Sequence, residues 1–290
     1  MVSRKVVRRA SFVLLGLLLL GAVLVSGCSN QPSGHNPTPA QPDAAALSGK
    51  LTIAGSTSVQ PFSEVLAESF MAQNKGVQIN VQGGGSSVGI EAAVSGAAHI
   101  GASSRALKDE EIAKGLTATN IALDGIAIVV HPSNPVNNLK SDDVMNIYLG
   151  NIKNWKEVGG PDAPITIVAR EEGSGTRDAF TDLVMKKKDI APTAIIQNST
   201  GAVRTTVAGD KNGIGYVSMA SVSKEVKALS IDGVAANEAN VKAGTYKIQR
   251  PFLYVTKGTP EGLTKAFIDF VLSAQGQKLI VEEGAFSINK

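Results

Sequence analysis

From Leu51 onward the chain repeats one unit: a short β-branched run, a loop of small residues, then a segment with helical spacing. Strand-like runs stand at Leu51–Ala54, Val77–Val81, Ile126–Val130, Ile165–Val168 and Phe252–Val255. The spacing of apolar residues predicts helices over Val59–Ala72, Val88–Ser95, Ser141–Leu149, Arg177–Lys187, Thr200–Gly209 and Glu261–Gln275. Strands that alternate with helices argue for an α/β fold with mostly parallel sheets. The folded part, roughly 240 residues, exceeds the usual size of one compact core, so one large domain or two lobes is expected.

Two apolar strands carry a proline beside them, Ile126-Ala-Ile-Val-Val-His-Pro and Gln249-Arg-Pro-Phe-Leu-Tyr-Val. If both cross between lobes, the second lobe is an insertion. Residues 49–128 with 252–290 then form lobe 1, and residues 129–251 form lobe 2.

Three of the loops share a design. Ala54-Gly55-Ser56-Thr57-Ser58, Gly83-Gly84-Gly85-Ser86-Ser87 and Arg170-Glu171-Glu172-Gly173-Ser174-Gly175-Thr176 each join a strand to a helix. Glycine lets the backbone approach a ligand closely, and Ser or Thr sits where the first helical N–H groups have no partner. Such an end presents amide donors and about half a positive charge, which suits a tetrahedral oxyanion. The hydroxyls of Ser56, Thr57, Ser58, Ser86, Ser87, Ser174 and Thr176 add donors without adding charge. Arg170 brings a cation whose planar fork can hold two oxygens. One loop of this kind is commonly a plain helix cap in proteins that bind nothing; three of them raise the weight of small-anion binding.

The N-terminal end points outward from the cytoplasm. Arg4, Lys5, Arg8 and Arg9 precede an uncharged run from Ser11 to Val25 that ends at Val25-Ser26-Gly27-Cys28. This is the pattern of an export signal over residues 1–27, and the run is shorter than the ~20 residues a spanning helix needs. Val-Ser-Gly-Cys resembles the lipobox of bacterial lipoproteins, in which the cysteine is acylated; residues 28–48 then form a lipidated, Pro- and Ser-rich tether. Cys28 is the single cysteine, so no disulfide and no cysteine-based metal site is expected. The formal charge of +3 belongs to the leader: without its four basic residues, 24 of the 28 Lys and Arg face 25 Asp and Glu. Bulk attraction to nucleic acid is not supported.

Read together, Gly-Ser-Thr-Ser-Val-Gln-Pro, Gly-Gly-Gly-Ser-Ser, Ile-Gly-Ala-Ser-Ser-Arg, Ala-Leu-Asp-Gly-Ile-Ala and Arg-Glu-Glu-Gly-Ser-Gly-Thr-Arg resemble the phosphate-binding protein of the bacterial phosphate-specific ABC transporter. The likeness continues through Gly201-Ala-Val-Arg and Gly213-Ile-Gly-Tyr-Val to Arg250-Pro-Phe-Leu-Tyr-Val, in order along the whole folded region. It implies a periplasmic-binding-protein fold, two α/β lobes joined by hinge strands, with inorganic phosphate held in the cleft and passed to the permease subunits of an importer. The expected protein is a monomer, anchored to the cell membrane through lipid, without cofactor or metal, and not an enzyme. By motif position the ligands would be Thr57 and Ser58, with Ser56 beside them; Ser86, with Ser87; and Arg170, Ser174, Gly175 and Thr176. Glu172 falls where the family places an acidic residue that orients the arginine, plain stabilisation of the helix start being the other reading. In the segment Ala102-Ser103-Ser104-Arg105 the family carries an aspartate that accepts the proton of hydrogen phosphate and turns sulfate away; Ser104 stands there instead. Arg105 is read as a second cation near the ligand, or as a salt-bridge partner.

Other readings are weaker. His35, His99 and His131 are scattered, Ser174 lacks the Gly-x-Ser-x-Gly elbow of a hydrolase, and the glycine-rich second loop lacks the Gly-Lys-Ser/Thr ending of a nucleotide loop. Capture of another oxyanion, sulfate or molybdate, is the nearest alternative, and a surface phosphohydrolase a more distant one.

Overall fold

The computed structural model describes residues 47–289; the export signal, Cys28 and nearly all of the tether lie outside them. The elements run β1 (Ser48–Gly55), α1 (Gln60–Gln73), β2 (Gly76–Gly83), α2 (Ser86–Ser95), β3 (Ile100–Ser103), α3 (Asp109–Ile112), β4 (Leu116–Val130), β5 (Asn138–Leu139), α4 (Ser141–Tyr148) and β6 (Thr166–Arg170). There follow α5 (Gly175–Leu183), β7 (Ile195–Gln197), α6 (Thr200–Gly209), β8 (Gly213–Ser218), β9 (Lys227–Ala228), β10 (Ser230–Ile231), α7 (Glu238–Lys242), β11 (Gln249–Lys257), α8 (Gly262–Leu272) and α9 (Ala274–Glu282).

The main sheet has the order β2-β1-β3-β11-β4-β8-β6-β7, with β9 also on β4. Pairing is parallel within β2-β1-β3 and within β8-β6-β7, and antiparallel where β11 meets β3 and β4 and where β4 meets β8. The long strand β4 changes partners midway. Leu116–Gly125 pairs with β11, and Ile126–Val130 pairs with β8. At the handover sits Gly125, with the end of the Met219 side chain packed where a Cβ would be, 2.4 Å away.

Each half of the sheet has its own core, as a two-lobe α/β fold requires. One gathers Leu51, Ile53, Phe62, Leu66, Phe70, Ile100, Phe252, Tyr254 and Phe267. The other gathers Ile126, Ile128, Tyr148, Trp155, Phe180, Ile214 and Tyr216. The helices supply these faces by their spacing: α1 buries Phe62, Leu66 and Phe70 at successive turns, and Phe70 meets Phe267 of α8 edge-on at 5.4 Å. In the second core Phe180 of α5 stacks on Tyr216 of β8 at 4.1 Å, a contact worth about 1 kcal/mol beyond area burial. Among the described residues no helix is long and apolar enough to cross a membrane.

Two helix expectations shift. The segment Glu261–Gln275 divides at Ser273, whose extended backbone ends α8 while its hydroxyl accepts the Gly276 N–H at 3.2 Å and starts α9. Helix α5 begins at Gly175 and stops at Leu183, short of the expected Lys187, because Lys186 and Lys187 take left-handed backbone with φ of 51° and 63°.

Candidate anion-binding site

The three loops converge. Gly55 closes β1 with φ 136°, and an added Cβ there would strike the Ala102 carbonyl at 2.3 Å; Ser56 N–H donates to that same carbonyl at 2.9 Å. The second loop lies on the first through Gly85 N–H to Gly55 O at 2.9 Å, and on the third through Ser87 N–H to Gly173 O at 3.0 Å. Gly175 opens α5 against both: a Cβ would sit 2.2 Å from Ser86 Oγ and 2.8 Å from Ser104 Oγ. Glycine therefore leaves the first turn of α5 facing two buried hydroxyls.

Hydroxyls and guanidinium groups form the centre. Ser58 Oγ lies 3.0 Å from Thr176 Oγ1 and 2.8 Å from Thr200 Oγ1. Thr57 Oγ1 accepts the Thr200 N–H at 3.2 Å. Ser86 Oγ accepts the Ser104 N–H at 3.0 Å and is 3.4 Å from Ser104 Oγ. Arg170, at the end of β6, donates from Nη1 to Thr200 Oγ1 at 3.0 Å. Arg250, on β11, donates from Nη1 to Thr176 Oγ1 at 2.8 Å and from Nη2 to Ser58 Oγ at 3.4 Å. All of these side chains except that of Thr57 are buried.

Carboxylates hold both guanidinium groups from behind. Glu171 takes Nε and Nη2 of Arg170 in a two-point contact at 2.7 Å each. Asp124 takes Nε and Nη2 of Arg250 on Oδ2 at 3.0 Å and accepts from Ser218 Oγ on Oδ1 at 2.8 Å. Burial raises the Asp124 carboxyl above its ordinary range, although the charge of Arg250 pulls it back. Burial likewise lowers the Arg250 guanidinium, and the nearby charge of Arg170 lowers it further. Tyr216, whose hydroxyl accepts the Arg170 N–H at 3.0 Å, is pushed up to about 12 by burial.

A cluster that places two cations and a ring of buried hydroxyls at the start of several helices can hold a small dehydrated oxyanion by many hydrogen bonds. No cluster of His, Cys, Asp and Glu able to hold a metal occurs among the described residues.

The domain model of the PBP superfamily matches residues 40–275. The phosphate-binding protein PstS of Bacillus subtilis is 35% identical over 284 residues, covering 96% of this chain and 94% of that protein. The chain belongs to the PstS family. Among solved structures, a substrate-binding protein assigned to a phosphate ABC transporter of Clostridium perfringens, with phosphate bound, shares 43% identity at a TM-score of 0.81, covering 83% of this chain and all of that one. An ABC-type phosphate transport receptor from Vibrio cholerae shares 40% identity at a TM-score of 0.70 over 81% of this chain and 99% of that one.

Within this PstS relative the expected residues divide. Thr57, Ser58, Ser86, Ser104, Arg170, Gly175 and Thr176 meet at the cluster. Ser56 and Ser174 are buried next to it but spend their oxygens on local turns, Ser56 accepting the Ser58 N–H and Ser174 capping α5 at the Arg177 N–H, each at 3.3 Å. Ser87 Oγ accepts from Arg105 at 3.4 Å.

Two assignments change. The carboxylate that orients Arg170 is Glu171; Glu172 is 92% exposed in its side chain and reaches only Arg177, at 3.9 Å. Arg105 fits the salt-bridge reading: Nε donates to Asp178 at 2.8 Å, Nη1 to Glu111 and the Ala106 carbonyl, and Nη2 to Glu111 and Ser87, which engages all five N–H groups.

Three members of the cluster were not expected: Thr200, Arg250 and Asp124. Thr200 had a signal, since Asn198-Ser199-Thr200-Gly201 is a fourth small polar loop at a helix start, with Ser199 capping Ala202 N–H at 3.1 Å. Arg250 and Asp124 sit directly opposite each other on β11 and β4, an antiparallel register that local spacing does not show.

Proposed function

We propose that this chain captures inorganic phosphate outside the cytoplasm and delivers it to an ABC importer, acting as a binding protein and not as an enzyme. The observation that carries the reading is the buried hydroxyl cluster to which Arg170 donates, made by loops from both halves of the sheet. Its ligands for phosphate are Thr57, Ser58, Ser86, Ser104, Arg170, Gly175, Thr176 and Thr200. The family names of the relatives, phosphate-binding proteins and phosphate transport receptors, support the choice of anion.

The change of partner along β4, from β11 to β8 between Gly125 and Ile126, supports a crossing between two lobes close to the boundary expected at residue 128. Closure of the lobes around phosphate would give the permease subunits a surface to recognise. Val25-Ser26-Gly27-Cys28 supports export and lipid attachment through Cys28, so that the protein works as a tethered monomer at the cell membrane.

Both carboxylates at the cluster are engaged by arginine, and Ser104 replaces the acidic acceptor of the family, so the proton of hydrogen phosphate meets only hydroxyl oxygens. Calorimetry on the purified protein is expected to show phosphate binding at micromolar concentration or below, with measurable competition from sulfate. Absence of phosphate binding, tighter binding of sulfate, or turnover of a phosphate ester would overturn the proposal.

A further inference from the structure

We propose that Arg250, set in place by Asp124, is a second cation of the phosphate site; this rests on the phosphate reading and assigns a residue that the loop motifs do not contain. The two guanidinium groups approach one hydroxyl chain from opposite ends, Arg170 Nη1 through Thr200 Oγ1 and Arg250 Nη2 through Ser58 Oγ, the two oxygens being 2.8 Å apart. Two like charges converging in a buried site are unfavourable unless an anion or a carboxylate compensates them. Each carboxylate takes the Nε–Nη2 edge of its guanidinium, and the remaining donors reach only neutral hydroxyls, so the positive charge on that side has no anionic partner of its own.

Arg250 also decides what the hydroxyls do. An oxygen that accepts an N–H from arginine directs its own proton elsewhere. Ser58 and Thr176, which come from different loops and both accept from Arg250, keep their own protons for a neighbouring hydroxyl or for an anion seated among them. Asp124 is the positioning residue: it takes Nε and Nη2 of Arg250 on one oxygen and is fixed by Ser218 on the other. Asp124 and Arg250 are cross-strand partners on the two strands that meet at the handover of β4, so a phosphate that draws on Arg250 also draws on that junction.

The rival role for the pair is purely structural, a buried clasp between β4 and β11. Titration of inorganic phosphate into the full-length protein distinguishes the two with Arg250→Gln, Arg250→Lys, Asp124→Asn and the double variant Asp124→Asn/Arg250→Gln. Removing one charge-assisted contact is expected to weaken binding by about 10- to 100-fold in Arg250→Gln, with a smaller loss in Arg250→Lys, which keeps the charge. Asp124→Asn, which retains the cation, is expected to stay within about tenfold of the unaltered protein. The double variant leaves no lone buried carboxylate, so it restores folding stability, yet it is expected to bind as weakly as Arg250→Gln. The proposal is overturned if the double variant binds phosphate like the unaltered protein, or if Arg250→Gln folds and loses nothing. Arg170→Ala, measured alongside, separates the failures: if it too binds normally, the phosphate site itself has been misplaced, whereas if it alone is weakened only the second cation is wrong.

Discussion

Two buried arginine clusters lie near each other in this molecule, and they treat their cations in opposite ways. Around Arg105, Glu111 and Asp178 together with a carbonyl and a hydroxyl take every N–H of the guanidinium. Around Arg170 and Arg250, each carboxylate holds one edge of its guanidinium, and the other edge meets hydroxyls that belong to separate loops. Burial of an arginine therefore does not mark a ligand site; the direction in which its donors remain committed to small polar groups does. The first cluster ties α5 to the segment after β3, and the second turns its charge toward the hydroxyl cluster proposed to hold phosphate.

The largest expected effect falls on the second cluster. Arg170→Ala removes a charged donor from a dehydrated site and is expected to weaken phosphate binding by about 3 kcal/mol while the protein stays folded. Unchanged affinity in calorimetry would place the anion elsewhere and erase the contrast between the clusters.

At Arg105 the same substitution should read out in stability instead. Arg105→Ala leaves Glu111 and Asp178 without their cation; since the Asp178 side chain is 26% exposed and water can relieve part of the loss, a destabilisation of about 2 kcal/mol is expected in denaturant unfolding. Burial opposes ionisation of Glu111, but the hydrogen bonds and charge of Arg105 outweigh it and hold the carboxyl below its ordinary value. A carboxylate depressed on folding contributes stability that is present above its unfolded pKa and lost as pH falls through the folded one. Acid unfolding of the unaltered protein should therefore include a component that Arg105→Ala abolishes. Coincident acid transitions in the two proteins would show that the cluster does not carry that linkage.

The same comparison marks what the sequence could and could not disclose. The loops around Ser58, Ser86 and Gly175 were legible because each is local: glycine, hydroxyl and helix start within a few residues. The parallel strands β1, β2 and β6 were legible as apolar runs for the same reason. The first part of β4 was not, since Thr117-Ala118-Thr119-Asn120 is mostly polar and exposed or half-buried at every position, leaving no apolar run or alternation to mark a strand. Nor were the partners of the arginines. Arg105 and Asp178 are 73 residues apart and Arg250 and Asp124 are 126 apart, distances at which register and not spacing decides who meets whom. Ser104 and Arg105 were read together because the resemblance sets the family's aspartate at Ser104; Ser104 does join the hydroxyl cluster through Ser86, while Arg105 turns its side chain toward Glu111.

The smallest effects test the sharpest form of the contrast, at two neighbouring glutamates. Arg170 can be oriented only by a carboxylate on its own side of the loop: Glu171 makes the two-point contact, and Glu172, one residue on, points to solvent near Arg177. Glu171→Gln keeps the shape but halves the charge-assisted grip, letting the fork of Arg170 rotate away from Thr200; a loss of about 1 kcal/mol in phosphate affinity is expected. Glu172→Gln changes an exposed charge in weak contact with Arg177, and a change below about 0.5 kcal/mol is expected. Parallel titrations of the two variants decide the matter. Equal losses would return the orienting role to the loop as a whole, and a larger loss at Glu172 would mean that phosphate-bound Arg170 changes its carboxylate partner.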